Sequence, residues 1–120
     1  VVFVDLNGLK ETNDTYGHDA GDHLIIDAAN FLIQEFGEEN IFRIGGDEFV
    51  VILNNIREAR FEEYERRFCE DLRNHPEINV SQGFAWTESS RNVEIAVDRA
   101  DKAMYQDKME YYKRHNRRNR

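Results

Sequence analysis

The chain opens on an unbroken apolar run, Val1 to Val4, that ends in Asp5. Such a run fits a strand buried on both faces, and here it delivers a carboxylate at its end. Polar helical sequence follows from about Leu9 to Tyr16. Leu24, Ile25, Ala28, Leu32 and Phe36 then recur at helical spacing, which predicts an amphipathic helix from about Ala20 to Phe36, stopped by Gly37. Residues 41–44 (IFRI) and 47–53 (DEFVVIL) read as two strands. Between them lies Gly45-Gly46, a pair that readily supplies the positive backbone angles of a tight hairpin, and Asp47 falls at that turn. Phe61, Tyr64, Phe68 and Leu72 mark a second amphipathic helix, ended near Pro76. A strand over 78–86 (INVSQGFAW) and a helix over about 93–112 complete the series. Ala96, Ala100, Ala103 and Met104 give that last helix a small-residue face able to lie close on a sheet.

This order predicts an α+β fold with a mostly antiparallel central sheet flanked by helices. With 120 residues and no repeat or low-complexity linker, the chain reads as one domain over 1–112 followed by a basic tail, 113–120. The tail (KRHNRRNR) carries five of the Lys and Arg residues, so the net charge of −8 leaves −13 on residues 1–112. An acidic body argues against nucleic-acid binding through a broad basic surface, but acid clusters that hold metal ions suit a substrate already carrying phosphates. No apolar run is long enough to span a bilayer, so no membrane contact is expected of this segment. The one cysteine, Cys69, makes no internal disulfide and reads as packing, which makes the cytosol the simplest home.

The candidate chemistry lies at strand ends. If the strand ending in Asp5 neighbours the one beginning at Asp47 and Glu48, three carboxylates converge. Unpaired buried carboxylates repel, so convergence implies a cation, and an all-oxygen donor set favours magnesium or manganese over zinc. Gly45 and Gly46 leave room where a bulky phosphorylated ligand would approach the backbone. On its own, this short stretch reads more simply as a hairpin with Asp47 and Glu48 as solvated turn residues.

Context changes that balance. DLNGLKETND from Asp5 to Asp14, YGHDAGD from Tyr16 to Asp22, RIGGDEF from Arg43 to Phe49, VSQG from Val80 to Gly83 and ADKAMYQDK from Ala100 to Lys108 form one ordered series over nearly the whole chain. Together they resemble the GGDEF domain of diguanylate cyclases. The resemblance implies a fold similar to adenylyl cyclase catalytic domains and the polymerase palm. It implies an enzyme that condenses two GTP into cyclic di-GMP, by attack of the 3′-hydroxyl of one GTP on the α-phosphate of the other with loss of pyrophosphate. A homodimer, each copy loaded with one GTP, and an upstream sensor or regulatory domain go with it, and a membrane-anchored parent would keep this domain cytosolic.

Carried over position by position, the resemblance gives Asp5, the Leu6 carbonyl and Asp47 to Mg2+ or Mn2+, with Glu48 as a further ligand or its support. Asp47 is the candidate acceptor for the hydroxyl proton. Lys10 and Lys108 are expected at the triphosphate, with backbone N–H groups near Gly8 and Leu9. Asn13 and Asp22 match the family's guanine contacts, and His18 matches another substrate-pocket position. Taken singly, Asn13 reads as a cap or turn residue, Asp22 as a helix cap and His18 as a packed loop residue.

Three departures from the family pattern stand out. Asn7 replaces the second aspartate that often flanks the first metal strand, and Tyr112 stands where relatives often carry a phosphate-binding arginine within a GRN block. At the Arg-x-x-Asp positions of the family's inhibitory product site, the chain has Phe36 and Glu39, so that site is expected to be missing. Relatives also usually carry one more helix before the first strand, so these 120 residues alone are expected to be weakly active or inactive. The competing reading is a degenerate GGDEF module that binds GTP or a partner; retention of Asp5, Asp47, Glu48, Asn13 and Asp22 argues for the enzyme.

Overall fold

The structure, a computed structural model, describes residues 1–118. Four strands, β1 (Val2–Leu6), β2 (Ile41–Arg43), β3 (Glu48–Val51) and β4 (Val80–Phe84), form one antiparallel sheet in the order β2-β3-β1-β4. Four helices accompany them: α1 (Leu9–Tyr16), α2 (His18–Phe36), α3 (Glu58–Asn74) and α4 (Val93–Arg118). The sheet agrees with the α+β expectation.

Every residue of β1 is buried, because the sheet is covered on both faces. Val2, Val4 and Leu6 point with Phe49 and Val51 into a core closed by Ala28, Phe31, Leu32 and Phe36 of α2 and by Phe61 and Phe68 of α3. Phe3 and Val50 point the other way, onto Ala96, Ala100 and Met104 of α4. The small-residue face of α4 serves the close approach expected of it. A Cβ at Gly83 would overlap the Ala100 carbonyl and stand 2.9 Å from Ala103 Cβ.

Boundaries move for local reasons. α2 begins two residues earlier than its apolar stripe suggests, because Gly17, at φ 93°, turns the chain sharply between α1 and α2. β3 and β4 are shorter than their apolar runs, although one backbone bond from Ile52 to Asn40 and a reciprocal pair between Ala85 and Val1 extend the pairing. α4 does not stop near Tyr112 but continues to Arg118, since nothing in its C-terminal part is a glycine or proline and basic residues suit a helix C-terminus. It therefore takes in most of the basic segment, whose last residues, 119–120, lie outside those described. Trp86 follows β4, and its indole donates to the Ile56 carbonyl at 3.0 Å.

Candidate active site

The register of β1 against β3 builds the centre of the site. Asp5 pairs with Glu48 across the two strands, and the Leu6 N–H donates to the Asp47 carbonyl at 2.9 Å. One carboxylate oxygen from each of Asp5, Asp47 and Glu48 falls within 4.8 Å of the others. Asp5 is buried, whereas Asp47, in the turn, and Glu48, the first residue of β3, are half-buried. Three anionic oxygen donors at the mouth of a buried strand suit a hard divalent cation.

A cationic group already answers this charge. Lys108, from α4 on the same face of the sheet, brings its Nζ 2.9 Å from Asp5 Oδ1 and 3.4 Å from the Leu6 carbonyl oxygen. Asp5 Oδ1 is buried and receives no well-aligned hydrogen bond, so it meets the ammonium as an ion pair and keeps lone-pair capacity for another cation. Burial pushes the Asp5 carboxyl up to about 6; the Lys108 ammonium opposes that shift, and the Asp47 and Glu48 charges add to it.

Gly45 and Gly46 behave differently from expectation. Neither adopts a positive φ; the loop from Ile44 to Glu48 is wide enough to turn without one. Arg43 closes it instead, donating from Nε to the Gly45 carbonyl at 3.1 Å and from its terminal NH2 to the Gly46 carbonyl at 2.8 Å. The glycines matter here for space: a Cβ at Gly45 would stand 3.3 Å from Glu48 Oε2, while Gly46 faces open surroundings.

The positive φ lies at Gly8, at 74°, where the chain leaves β1 and enters α1. This left-handed residue aims the N-terminus of α1, with Leu9 and the exposed Lys10 in its first turn, beside the end of β1. The N–H groups of such a turn lack intrahelical acceptors and favour an anion. Asn7 is engaged by a polar chain that sequence reading did not find. Ser81 Oγ donates to Asn7 Oδ1 at 2.9 Å, Asn7 Nδ2 to Asn79 Oδ1 at 3.0 Å, and Asn79 Nδ2 to the Tyr111 hydroxyl at 3.2 Å. An amide both accepts and donates in this chain, as an ionised carboxylate does not. The three residues Asn7, Asn79 and Ser81 are far apart in sequence or unremarkable singly, so only the β1–β4 register reveals them.

Asn13 packs against Gly21, whose missing side chain makes room for it, and its Oδ1 is buried without a hydrogen-bond partner. Asp22 and His18 are exposed on the first turns of α2. A cavity of about 490 Å³ opens beside Leu6, Asn7 and Gly8, lined also by Leu24, Tyr111 and Tyr112; the three clustered acids lie outside its lining. Phe36 is buried, with ring centroids 5.3 Å from Phe68 and 5.8 Å from Tyr64, while Glu39 is exposed on a short 3₁₀ turn.

The comparisons with known proteins agree with this architecture. The family model described as "Diguanylate cyclase, GGDEF domain" matches residues 1–114. The chain is 31% identical over 120 residues to the diguanylate cyclase DgcZ of Escherichia coli (strain K12), covering 90% of this chain and 40% of that protein. It spans less than half the length of the curated relatives it matches. Among solved structures, the GGDEF domain of DgcB from Caulobacter crescentus in complex with c-di-GMP superposes with a TM-score of 0.73 at 23% identity, over 90% of this chain and 70% of that one. A microbial GGDEF domain described for its interaction with cyclic di-GMP gives a TM-score of 0.70 at 29% identity, over 91% and 71% of the two chains.

Proposed function

The chain belongs to the GGDEF-domain family of diguanylate cyclases, and from that premise we propose that it condenses two GTP into cyclic di-GMP and two pyrophosphates. The observation that carries this reading is the convergence of Asp5, Asp47 and Glu48 at the end of a buried strand. A module freed from catalysis has no need of all three acids, which is why we favour the enzyme over a regulatory binding module.

The donor set fits magnesium or manganese: three carboxylates, of which one is buried and ion-paired to an ammonium, and a main-chain carbonyl already drawn to that cation. Asp5, Asp47, Glu48 and the Leu6 carbonyl would hold the ion. When bound, it neutralises phosphate charge and makes the attacking hydroxyl more acidic. The remaining work falls to the chain's own groups. Gly8, Leu9 and Lys10 at the start of α1 receive phosphate oxygens, and Lys108 adds a positive charge from α4. Asp47, exposed enough to meet substrate, is the acceptor we assign for the 3′-hydroxyl proton. Asp22 accepts from guanine N1–H and the 2-amino group while Asn13 completes the base contact, with His18 and the Gly45-Gly46 turn bordering the substrate. Adenine lacks that donor pair and forgoes these charged hydrogen bonds.

One such site holds one GTP, so the reaction needs a second loaded copy facing it. Among the described residues no helix is long and apolar enough to cross a membrane. The test is incubation of the full-length parent protein with GTP and magnesium, with products identified by mass spectrometry: cyclic di-GMP and pyrophosphate are expected, and unchanged GTP under conditions where a control cyclase turns over would refute the reading.

A further inference from the structure

Lys108 stands on two atoms that the proposed function gives to a metal. Its ammonium bridges Asp5 Oδ1 at 2.9 Å and the Leu6 carbonyl at 3.4 Å, joining α4 to β1 across 102 residues of sequence. A buried carboxylate and a main-chain carbonyl are hard oxygen donors of the kind magnesium and manganese take. We propose that Lys108 is the tethered counter-ion of this centre, seated on Asp5 and Leu6 until a divalent ion displaces it and frees it for the triphosphate. The inference rests on the cyclase reading above and adds to it an exchange of cations within the site.

Three observations support the exchange. The two side chains of the pair are largely buried, 16% exposed for Lys108 and 8% for Asp5, so a carboxylate left there without any cation would be costly and the lysine relieves that cost. Asp47 and Glu48 are not ion-paired to Lys108, so the anionic cluster still attracts a cation of higher charge. Lysine carries its charge as a compact point on a flexible stem, and can therefore leave Asp5 without moving α4. The Tyr112 ring, 5.9 Å from Nζ, gives the departing ammonium an aromatic neighbour that takes no metal.

The consequence is a coupling between metal and nucleotide. A seated ammonium reduces the affinity for metal alone to the intrinsic affinity multiplied by the fraction of time the site is open. A triphosphate offers the ammonium another partner and removes that block, so each ligand strengthens the other.

The experiment measures Mn2+ binding to the nucleotide-free protein by titration calorimetry at about 0.15 M salt, where exposed charges farther away than the Debye length of about 8 Å are largely screened. Lys108→Met is expected to tighten Mn2+ about tenfold, the factor for a site open roughly one tenth of the time. Lys10→Met serves as the charge control and should change affinity less than twofold. Equal tightening in both variants, or none in Lys108→Met, overturns the exchange. On the unaltered protein, acetylation of Lys108 followed by mass spectrometry should rise when Mn2+ is added while Lys102 stays constant; protection of Lys108 that ignores Mn2+ also overturns it. Asp5→Asn separates the two levels. If that variant binds Mn2+ as tightly as the parent, the metal assignment itself falls; if it loses Mn2+ while neither Lys108 readout moves, only the exchange is refuted.

Discussion

Asp5 on β1 and Glu48 on β3 are direct partners in an antiparallel pair, which sets two carboxylates side by side with Asp47 one residue away. Because strand side chains alternate, a slip of one residue in this register would send Asp5 into the apolar core between the sheet and α2. The hydrophobic pattern on both faces therefore fixes the acid cluster as firmly as it fixes the fold.

Activity should depend on that cluster. Asp47→Ala is expected to lower turnover about 10³-fold or more, the rate equivalent of roughly 4 kcal/mol, with folding intact because Asp47 is a half-exposed turn residue. Steady-state kinetics with and without chelator, beside circular dichroism of the variant, check this; undiminished turnover in either condition sinks the metal assignment.

Base selectivity should follow Asp22. Asp22→Ala is expected to narrow the preference for GTP over ATP by about 10- to 100-fold, the loss of charged hydrogen bonds of roughly 1.5–3 kcal/mol. Competition assays at equal nucleotide concentrations measure it. A preference that survives the substitution would move guanine recognition elsewhere.

Close packing of α4 on β4 makes Gly83 intolerant of size. Gly83→Ala forces its Cβ onto the Ala100 carbonyl, and overpacking of this kind costs about 1–3 kcal/mol. Thermal denaturation of the variant should show a clear drop in Tm; an unchanged Tm would mean that α4 lies farther from the sheet.

Stability should also respond to pH through Glu35. Burial first, then Asp71 across the α2–α3 contact, raise its carboxyl from 4.5 to about 7, against the pull of Arg67 and His75. The folded chain thus holds a proton that the unfolded chain releases. Its stabilising contribution is full below about 4.5 and is lost as pH rises through about 7. Between pH 5 and 8, Tm of the parent should fall relative to Glu35→Gln; parallel curves would show that the proton is not held.

Tight product feedback at the usual family position is not expected. Phe36 is packed among Phe68, Tyr64 and Phe84 and supplies neither charge nor donor, so Phe36→Ala should cost about 3–5 kcal/mol as a core deletion. Calorimetric titration of cyclic di-GMP, with the active site blocked by a non-hydrolysable GTP analogue, tests the ligand side. Submicromolar binding lost in Glu39→Ala would reinstate the site.

Much of this was legible in the chain itself. The apolar run before Asp5 and the strand after Gly45-Gly46 announce two buried strands carrying acids, and helical spacing finds α2, α3 and α4 to within a turn at most ends. What stayed hidden depends on partners distant in sequence. The seat of Lys108 on Asp5, the chain from Ser81 through Asn7 and Asn79 to Tyr111, and the guanidinium of Arg43 in the glycine turn are products of register and rotamer, which periodicity does not encode. The glycine pair misleads for a related reason: glycine permits positive φ without requiring it, and here Gly8 uses that freedom while Gly45 and Gly46 do not.

The position of β1 in the middle of the sheet bears on how the domain is made. β1 is the first strand in the chain, yet Val2 waits for Val51 on one side and for Phe84 on the other. Pairings over such separations are slow, because loop closure must be met before any contact rewards it. A growing or refolding chain therefore carries an apolar strand with open edges until β4 returns, and Asp5 gains its lysine only after most of α4 exists. Refolding followed through Trp86, which sits just past β4 and bonds back to Ile56, should report that return as the slow phase, with the Asp5–Lys108 pair formed no earlier than the last helix.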